Sequence, residues 1–166
     1  RIYIVAFRND INSSEFTFPS ASDKQVCLLD YLENNPDSAK VISRNDIEIY
    51  KEYFHQKSLF NEMILLNKPI QIGKVNKGGQ GERIYHPLGH AITLSAHGGG
   101  IGAKTGLYLI EGKIRKLSPR ECARIQGFPE DFIIHESSTQ AYKQFGNSVS
   151  INVLQKISIQ IAGVLK

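Results

Sequence analysis

The distribution of glycine constrains the possible fold more than any other feature of this sequence. Of the 14 glycines, 11 lie between residues 73 and 112. Glycine is unfavourable inside a helix and permits tight turns, so this stretch predicts short strands joined by glycine turns. The predicted strands cover residues 84–85, 91–94 and 107–110, and together they favour a small twisted β domain.

The segments on either side predict a mixed α/β chain. Residues 2–7 form a β-branched and aromatic run, which is typical of a buried strand. Residues 34–38 are rich in Asn, Pro, Asp and Ser and predict a turn. The remaining periodic segments have apolar residues at helical spacing. The predicted helices cover residues 22–33, 118–126, about 138–145 and 150–166.

Composition favours a globular chain with an anionic partner. Hydrophobic residues make up 41% and charged residues 22% of the 166 residues, which is ordinary for a globular chain. The net charge of +4 gives weak support to a polyanionic partner. Cys27 and Cys122 provide neither a disulfide framework nor a metal-binding spacing, so we expect a cytoplasmic protein. Because the chain begins with Arg1 rather than methionine, we expect a piece of a longer protein.

Residues 115–129 specify a helix with both of its ends. Ser118 and Glu121 have the spacing of a capping box, and Pro119 stands at the first helical position. Gly127 then predicts the end of the helix. A second polar cluster, residues 146–148 (Gly-Asn-Ser), stands directly ahead of a strongly apolar helix. We expect the backbone N–H groups of this cluster to face a ligand.

The order of these residues resembles the C-terminal signature of DNA (cytosine-5) methyltransferases. That family has an Arg-x-Leu-(Ser/Thr)-x-Arg-Glu-x-Ala-Arg-x-Gln-Gly-(Phe/Tyr)-Pro block followed by a Gly-Asn-Ser-Val block, which correspond here to residues 115–129 and 146–149. The resemblance implies the C-terminal part of a Rossmann-like α/β methyltransferase with a small glycine-rich target-recognition domain. The implied division is residues 1–30 in the catalytic domain, 31–145 in the recognition domain, and 146–166 as the closing helix.

The resemblance also implies roles for individual residues near the reacting base. Arg1 matches the second Arg of the family's Arg-x-Arg block and would help to hold the flipped cytosine. Its planar guanidinium suits a cytosine O2 or a phosphate. The implied cofactor is S-adenosylmethionine (AdoMet), and the residues implied to bind it are Asn147, Ser148 and Val149.

Two glycine-rich stretches resemble the recognition loops of family members that methylate the inner cytosine of GCGC. They are residues 77–85 and 91–100. Gln80 would fill the gap left by the flipped base, and Arg83 offers the donor fork that recognises guanine. His97 stands where those relatives have tyrosine. The implied DNA contacts are Gln80, Arg83, Thr93, Ser95, His97, Gly98, Gly99 and Gly100.

The nucleophile is the feature that the sequence does not supply. In the family the nucleophilic cysteine follows a proline, and neither Cys27 nor Cys122 does. The resemblance therefore implies an N-terminal catalytic half, on the same polypeptide or as a separate subunit. One alternative is a sequence-specific DNA-binding module or specificity subunit without chemistry. An RNA methyltransferase is less favoured, because those relatives have a reduced recognition region. Without a sheet for residues 2–7 to join, we expect exposed apolar surface.

Overall fold

A five-stranded sheet organises the middle of the protein. The computed structural model describes residues 2–51 and 68–165. Within these residues the sheet order follows the chain, and β3 and β4 are parallel whereas the other neighbours are antiparallel. The strands are β1 (Glu48–Ile49), β2 (Ile70–Lys74), β3 (Arg83–His86), β4 (Leu107–Ile110) and β5 (Lys113–Arg115).

The parallel pair determines the path of the chain between β3 and β4. Parallel neighbours need a crossover, so residues 87–106 leave the sheet where β3 ends and return to the opposite end, where β3 begins. The strands predicted at 84–85 and 107–110 are confirmed. The strand predicted at 91–94 is wrong. The N–H of Ile92 donates to the Tyr108 hydroxyl at 3.0 Å rather than to a neighbouring strand, so this part of the crossover joins no ladder.

The three helices predicted in the C-terminal part are confirmed. They are α1 (Pro119–Gln126), α2 (Ser138–Asn147) and α3 (Ile151–Val164). The capping box is present, because the N–H of Glu121 donates to the Ser118 hydroxyl at 3.1 Å. Gly127 ends α1 with a φ of 82°, a conformation that favours glycine.

Two elements predicted near the start of the chain are wrong. Residues 22–33 form only a short 3₁₀ turn (Leu28–Tyr31), because the N–H groups of Leu28 and Leu29 donate to Gly89 and Pro87 instead of forming helix bonds. Residues 2–7 form no strand. A strand needs a partner for its backbone groups, and this run pairs with none of the strands in the described part of the chain.

Apolar side chains pack on both faces of the sheet, since successive strand residues point to opposite sides. Tyr85, Tyr108 and Ile110 join the first cluster, which covers α1 and α2. Ile84 and Leu107 join the second cluster on the other face. The helices α1 and α2 are therefore held against one face of the sheet, beside the crossover.

The expected exposed apolar surface is also present. Ile2 and Ile4 are 89% and 87% exposed. On α3, Ile157 is buried, but Ile159 is 68% exposed, and Leu165, directly after the helix, is 58% exposed. Among residues 2–51 and 68–165, no helix is long and apolar enough to span a membrane. The same residues contain no group of three or more histidines, cysteines or carboxylates that could hold a metal ion.

Candidate functional site

Two loops at one end of the sheet carry most of the predicted site residues. Loop A, residues 75–82, joins β2 to β3 and contains Gln80. Loop B, residues 87–106, joins β3 to β4 and contains Thr93, Ser95, His97 and the glycine run 98–100. Arg83 is the first residue of β3, directly after loop A. Because β3 and β4 are parallel, loop B returns to the end of the sheet at which loop A leads into β3, and the two loops meet there.

Glycine allows the two loops to meet backbone against backbone. The N–H of Gly102 donates to the Gly81 carbonyl at 2.7 Å. A Cβ on Gly81 would overlap the Gly99 carbonyl oxygen, so only glycine fits there. Gly100 has a φ of +87° and packs against the same part of loop A. Glycines in this region therefore allow the close backbone contact between loops A and B.

A cavity of about 90 Å³ lies where the loops meet. Gln80, Thr93 and His97 line it and are exposed, and Ser95 lines it half-buried. The Ser95 hydroxyl donates to the His97 carbonyl at 3.0 Å, which leaves its oxygen available as an acceptor. Gly98 and Gly99 complete the predicted set at the cavity. The structure therefore brings together six of the eight residues expected to contact DNA.

The remaining two residues lie beside the cavity rather than in its wall. Arg83 is exposed, and its Nε donates to the Gly78 carbonyl at 3.4 Å, so the guanidinium lies along loop A. Gly100 is exposed in loop B. Both positions adjoin the same end of the sheet, so a molecule lying across the cavity would contact them.

A polar network that sequence reasoning missed holds loop A in shape. The Glu82 carboxylate accepts from Asn76 Nδ2 at 2.8 Å and from the Gly79 N–H at 3.0 Å, and these bonds lower the Glu82 pKa. Asn76 also accepts from Arg44 at 2.9 Å and donates its N–H to Asp46 at 3.2 Å. The Arg44 guanidinium lowers the pKa of Asp46 to about 2. The sequence does not predict this network, because its members are far apart along the chain. Its one local indication is Asn76, which has a positive φ (48°) that asparagine tolerates.

Several polar residues of the 115–129 block make structural contacts. Arg115 and Glu121 form a buried bidentate pair with N–O distances of 2.7 and 2.8 Å. Glu121 also accepts from the N–H groups of Ser118 (2.7 Å) and Glu33 (2.9 Å). The Glu121 carboxylate thus ties β5 and α1 to the segment around residue 33.

Two further side chains of the block extend this bracing. Arg124 donates to the Leu32 carbonyl at 3.3 Å and pairs with Glu130 at 2.7 Å. Gln126 Nε2 donates to the Phe145 carbonyl of α2 at 3.2 Å. These side chains therefore hold α1 against the segment around Leu32 and against α2.

Both cysteines are free and buried. Cys122 is 1% exposed inside α1, and burial raises the pKa of its thiol, with a further increase from the Glu121 carboxylate. A raised pKa disfavours the thiolate that attacks a base. Cys27 is also buried, at 6% exposure.

The Gly-Asn-Ser-Val block forms the junction between α2 and α3. The expectation that its backbone N–H groups are free for a ligand is wrong for Ser148, whose N–H donates to the Gln144 carbonyl at 2.9 Å. The reason is that α2 continues to Asn147, so these N–H groups end a helix instead of starting one. The Asn147 side chain is exposed, while Ser148 and Val149 are half-buried.

Gly146 connects this block to loop B. A Cβ on Gly146 would lie 2.7 Å from the Cα of Ala96 and would overlap the Ala96 nitrogen and the Ser95 carbonyl carbon. The α2 backbone therefore packs directly on the segment of loop B that carries Ser95 and His97. The last turn of α2 therefore supports the segment of loop B that lines the cavity.

A second cavity, of about 330 Å³, lies beside Ser148. Three phenylalanines from α2 and from the segment after α1 provide its apolar wall, and Ser148 and Gln144 provide polar edges. The rings of Phe128 and Phe145 pack edge to face with centroids 5.4 Å apart. An aromatic wall with polar edges suits a ligand that combines a flat ring or a cation with hydrogen-bonding groups.

Comparison with protein families gives a match along almost the whole chain. Residues 1–163 match the model described as "C-5 cytosine-specific DNA methylase". The chain belongs to this family. The match covers both loops, the 115–129 block and the junction at 146–149, so the family resemblance inferred from those residues is confirmed.

Individual relatives agree with the family assignment. The chain is 49% identical to the type II methyltransferase M.HhaI of Haemophilus parahaemolyticus over 99% of its own length and 48% of that protein. It is 33% identical to the type II methyltransferase M.SsoII of Shigella sonnei, over 99% of its length and 40% of that protein. The chain thus spans about half the length of the curated relatives that it matches.

A solved structure supports the fold. A methyltransferase of Entamoeba histolytica matches 98% of this chain and 46% of its own, with a TM-score of 0.50 and 18% identity. The sheet and helices described above therefore belong to the α/β methyltransferase fold.

Proposed function

We propose that this chain is the target-recognition and C-terminal portion of a type II restriction-modification DNA cytosine-5 methyltransferase. The enzyme would transfer a methyl group from AdoMet to C5 of a flipped cytosine, within GCGC. The observation that carries this proposal is the meeting of loops A and B, which gathers exposed Gln80, Thr93 and His97 around one cavity. The proposed domain division remains residues 1–30, 31–145 and 146–166.

The loops provide the chemistry that sequence-specific DNA binding needs. An arginine fork can donate to both O6 and N7 of guanine in the major groove, and Arg83 is exposed for that contact. Gln80 is an exposed amide on a glycine-supported loop and would occupy the space of the flipped base. Ser95, Thr93 and the glycine run offer hydroxyl and backbone groups for base edges and phosphates.

The junction between α2 and α3 would hold the cofactor. Ser148 lines the aromatic cavity, and Asn147 and Val149 are its neighbours along the chain. The phenylalanine wall and polar edge of this cavity would suit a sulfonium nucleoside. AdoMet would supply an electrophilic methyl group there. Arg1, proposed to hold the flipped cytosine, lies outside the described residues. Its guanidinium would bind a base or phosphate oxygen as a fixed cation.

The nucleophile would come from a catalytic half outside these 166 residues. Attack at C6 needs a thiolate, and both cysteines here are buried. Burial raises the pKa of Cys122, so that thiol would also be protonated near neutral pH. The partner half, on the same polypeptide or as a separate subunit, would carry the family's Pro-Cys nucleophile.

The same buried cysteines favour one other candidate function, a DNA-binding module or specificity subunit without chemistry. Methyl transfer from labelled AdoMet distinguishes the two. The chain is assayed with GCGC duplexes and scrambled duplexes, alone and mixed with an N-terminal half carrying the Pro-Cys nucleophile. Activity in the mixture alone, and on GCGC alone, supports the proposal. Sequence-specific binding without activity in any mixture supports the module.

A further inference from the structure

Lys104 in loop B lies near two further lysines, Lys40 and Lys116. The N–H of Lys116 donates to the Lys40 carbonyl at 3.0 Å, and the Lys116 ammonium lies 5.4 Å from the ring centre of Tyr142 in α2. Lys104, in loop B, donates from Nζ to the Thr139 carbonyl of the same helix at 3.4 Å. The ammonium groups of Lys104 and Lys116 are therefore both directed towards α2, next to the loop.

In the described part of the chain, no carboxylate forms an ion pair with this lysine cluster. The ion pairs within residues 2–51 and 68–165 involve Arg8, Arg44, Lys74, Arg115 and Arg124 as cations. Burial lowers the pKa of Lys116, and the charges of Lys104 and Lys40 lower it further. Like charges held together without a counter-charge repel one another, and a bound anion would relieve that repulsion.

The backbone at Lys104 gives an independent reason to assign its side chain a function. Lys104 has a φ of +78°, a conformation that costs energy for any residue with a Cβ. Loop B uses glycine at its other positive-φ positions, Gly100 (+87°) and Gly106 (+85°). The Lys104 carbonyl accepts from the Ser95 N–H at 3.0 Å, so the fold fixes this backbone. Glycine would satisfy the same backbone without strain, yet the sequence has lysine.

We propose that Lys40, Lys104 and Lys116 bind the phosphates of the DNA strand that passes loop B. This inference rests on the proposed DNA-binding function and adds residues that position the duplex. A lysine ammonium is a compact charge that binds phosphate without distinguishing bases. Lys104 also lines the cavity between loops A and B, so the patch is continuous with the residues proposed to contact bases. Phosphate binding at this patch would fix the duplex over Gln80 and Thr93.

The test compares the wild-type chain with a Lys104→Gly, Lys116→Gln double variant. Fluorescence anisotropy measures binding to GCGC and scrambled duplexes between about 50 and 200 mM salt. Because each neutralised phosphate contributes about 0.9 to the slope of log K against log salt, we expect the slope to fall by about 2. Affinity for both duplexes should fall by the same factor, at least about tenfold.

The matched control is Lys113→Gln, which removes an exposed lysine from a cavity that also contains Glu33, Asp37 and Glu111. We expect it to leave the slope unchanged. Lys104→Gly alone should keep or raise the midpoint of thermal unfolding, since glycine adopts positive φ freely. The proposal would be overturned if the double variant kept the wild-type slope, or if the control lost as much slope as the double variant. It would also be overturned if Lys104→Gly lowered the unfolding midpoint, or if the wild type showed no salt-dependent binding. Equal wild-type binding to both duplexes, with the slope still reduced in the double variant, would support the patch and contradict the proposed sequence specificity.

Discussion

Replacement of Gly146 by alanine should separate α2 from loop B. The added Cβ would lie 2.7 Å from the Cα of Ala96, whereas carbon atoms pack at about 3.5–4.0 Å. The neighbouring atoms belong to the backbone, so they cannot rotate away as a side chain would. Loop and helix must therefore move apart by roughly 1 Å to accept the methyl group.

The expected cost follows from two opposing contributions. Overpacking a closely packed site costs about 1–3 kcal/mol, and a clash with backbone belongs at the upper end. Alanine is favoured over glycine in a helix by up to about 1 kcal/mol. We therefore expect Gly146→Ala to lower the free energy of unfolding by about 2 kcal/mol.

Gly163→Ala is the matched control. Gly163 is the second-to-last residue of α3, as Gly146 is of α2. Apart from its chain neighbours and the nearby backbone of its own helix, no atom of the described residues lies within 4 Å of the position that its Cβ would take. We expect this variant to be as stable as the wild type or more stable, by up to about 1 kcal/mol. Urea unfolding followed by far-ultraviolet circular dichroism measures both variants, and an unchanged m value keeps the comparison valid.

The same substitution should weaken DNA binding. Ala96 lies between Ser95 and His97, so its displacement would change the cavity between loops A and B. Gly163→Ala should leave DNA affinity unchanged. If Gly146→Ala is as stable as Gly163→Ala and binds DNA equally well, the contact between α2 and loop B does not have the role that the structure gives it.

Three further predictions concern the site and its support. Arg83→Ala should cost about 1–3 kcal/mol in specific binding and relax specificity at a single base pair, measured by competition with substituted duplexes; a uniform loss on every duplex would refute base contact. Glu121→Ala should lower the free energy of unfolding by about 3–5 kcal/mol because it leaves Arg115 buried without its partner, whereas Arg115→Met with Glu121→Gln should recover part of the loss in urea unfolding, since the glutamine carbonyl can still accept from a backbone N–H; equal losses would contradict this role of the pair. The Asp46 pKa is lowered from 3.8 to about 2 by Arg44, so its stabilising contribution is complete above about pH 4 and is lost as the pH falls towards 2. Asp46→Asn should flatten that part of the curve of unfolding midpoint against pH, and an unchanged curve would show that the Arg44 pair does not contribute.

Local chemistry made the C-terminal helices predictable. The capping box of Ser118 and Glu121 and the terminating Gly127 depend on neighbours within a few residues, and the structure has all three as expected. The strands at 84–85 and 107–110 were predictable for a similar reason, since each is a continuous apolar run between glycine turns and the sheet buries apolar side chains on both faces.

The errors arise where distant parts of the chain compete for backbone hydrogen bonds. The N–H of Leu28 donates to Gly89, which prevents the helix that its sequence favours. The N–H of Ile92 donates to the Tyr108 hydroxyl, which prevents a strand. Spacing along the sequence contains no information about such partners, because they depend on the tertiary fold.

The sequence named candidate site residues but not the contacts that support them. The family resemblance named Gln80, Ser95 and His97, and the structure gathers them around one cavity. The contact of Gly146 with loop B and the network around Asn76 join residues far apart in sequence, so only the structure identifies them.

Competition binding with every single-position variant of a GCGC duplex would test the proposed base recognition without depending on the proposed catalytic half. If loops A and B contact bases, each substitution within GCGC should weaken binding by about 1–3 kcal/mol, and substitutions in the flanks should have little effect. Equal affinity for all of the duplexes would contradict base recognition by this chain, because the loops would then bind only the DNA backbone.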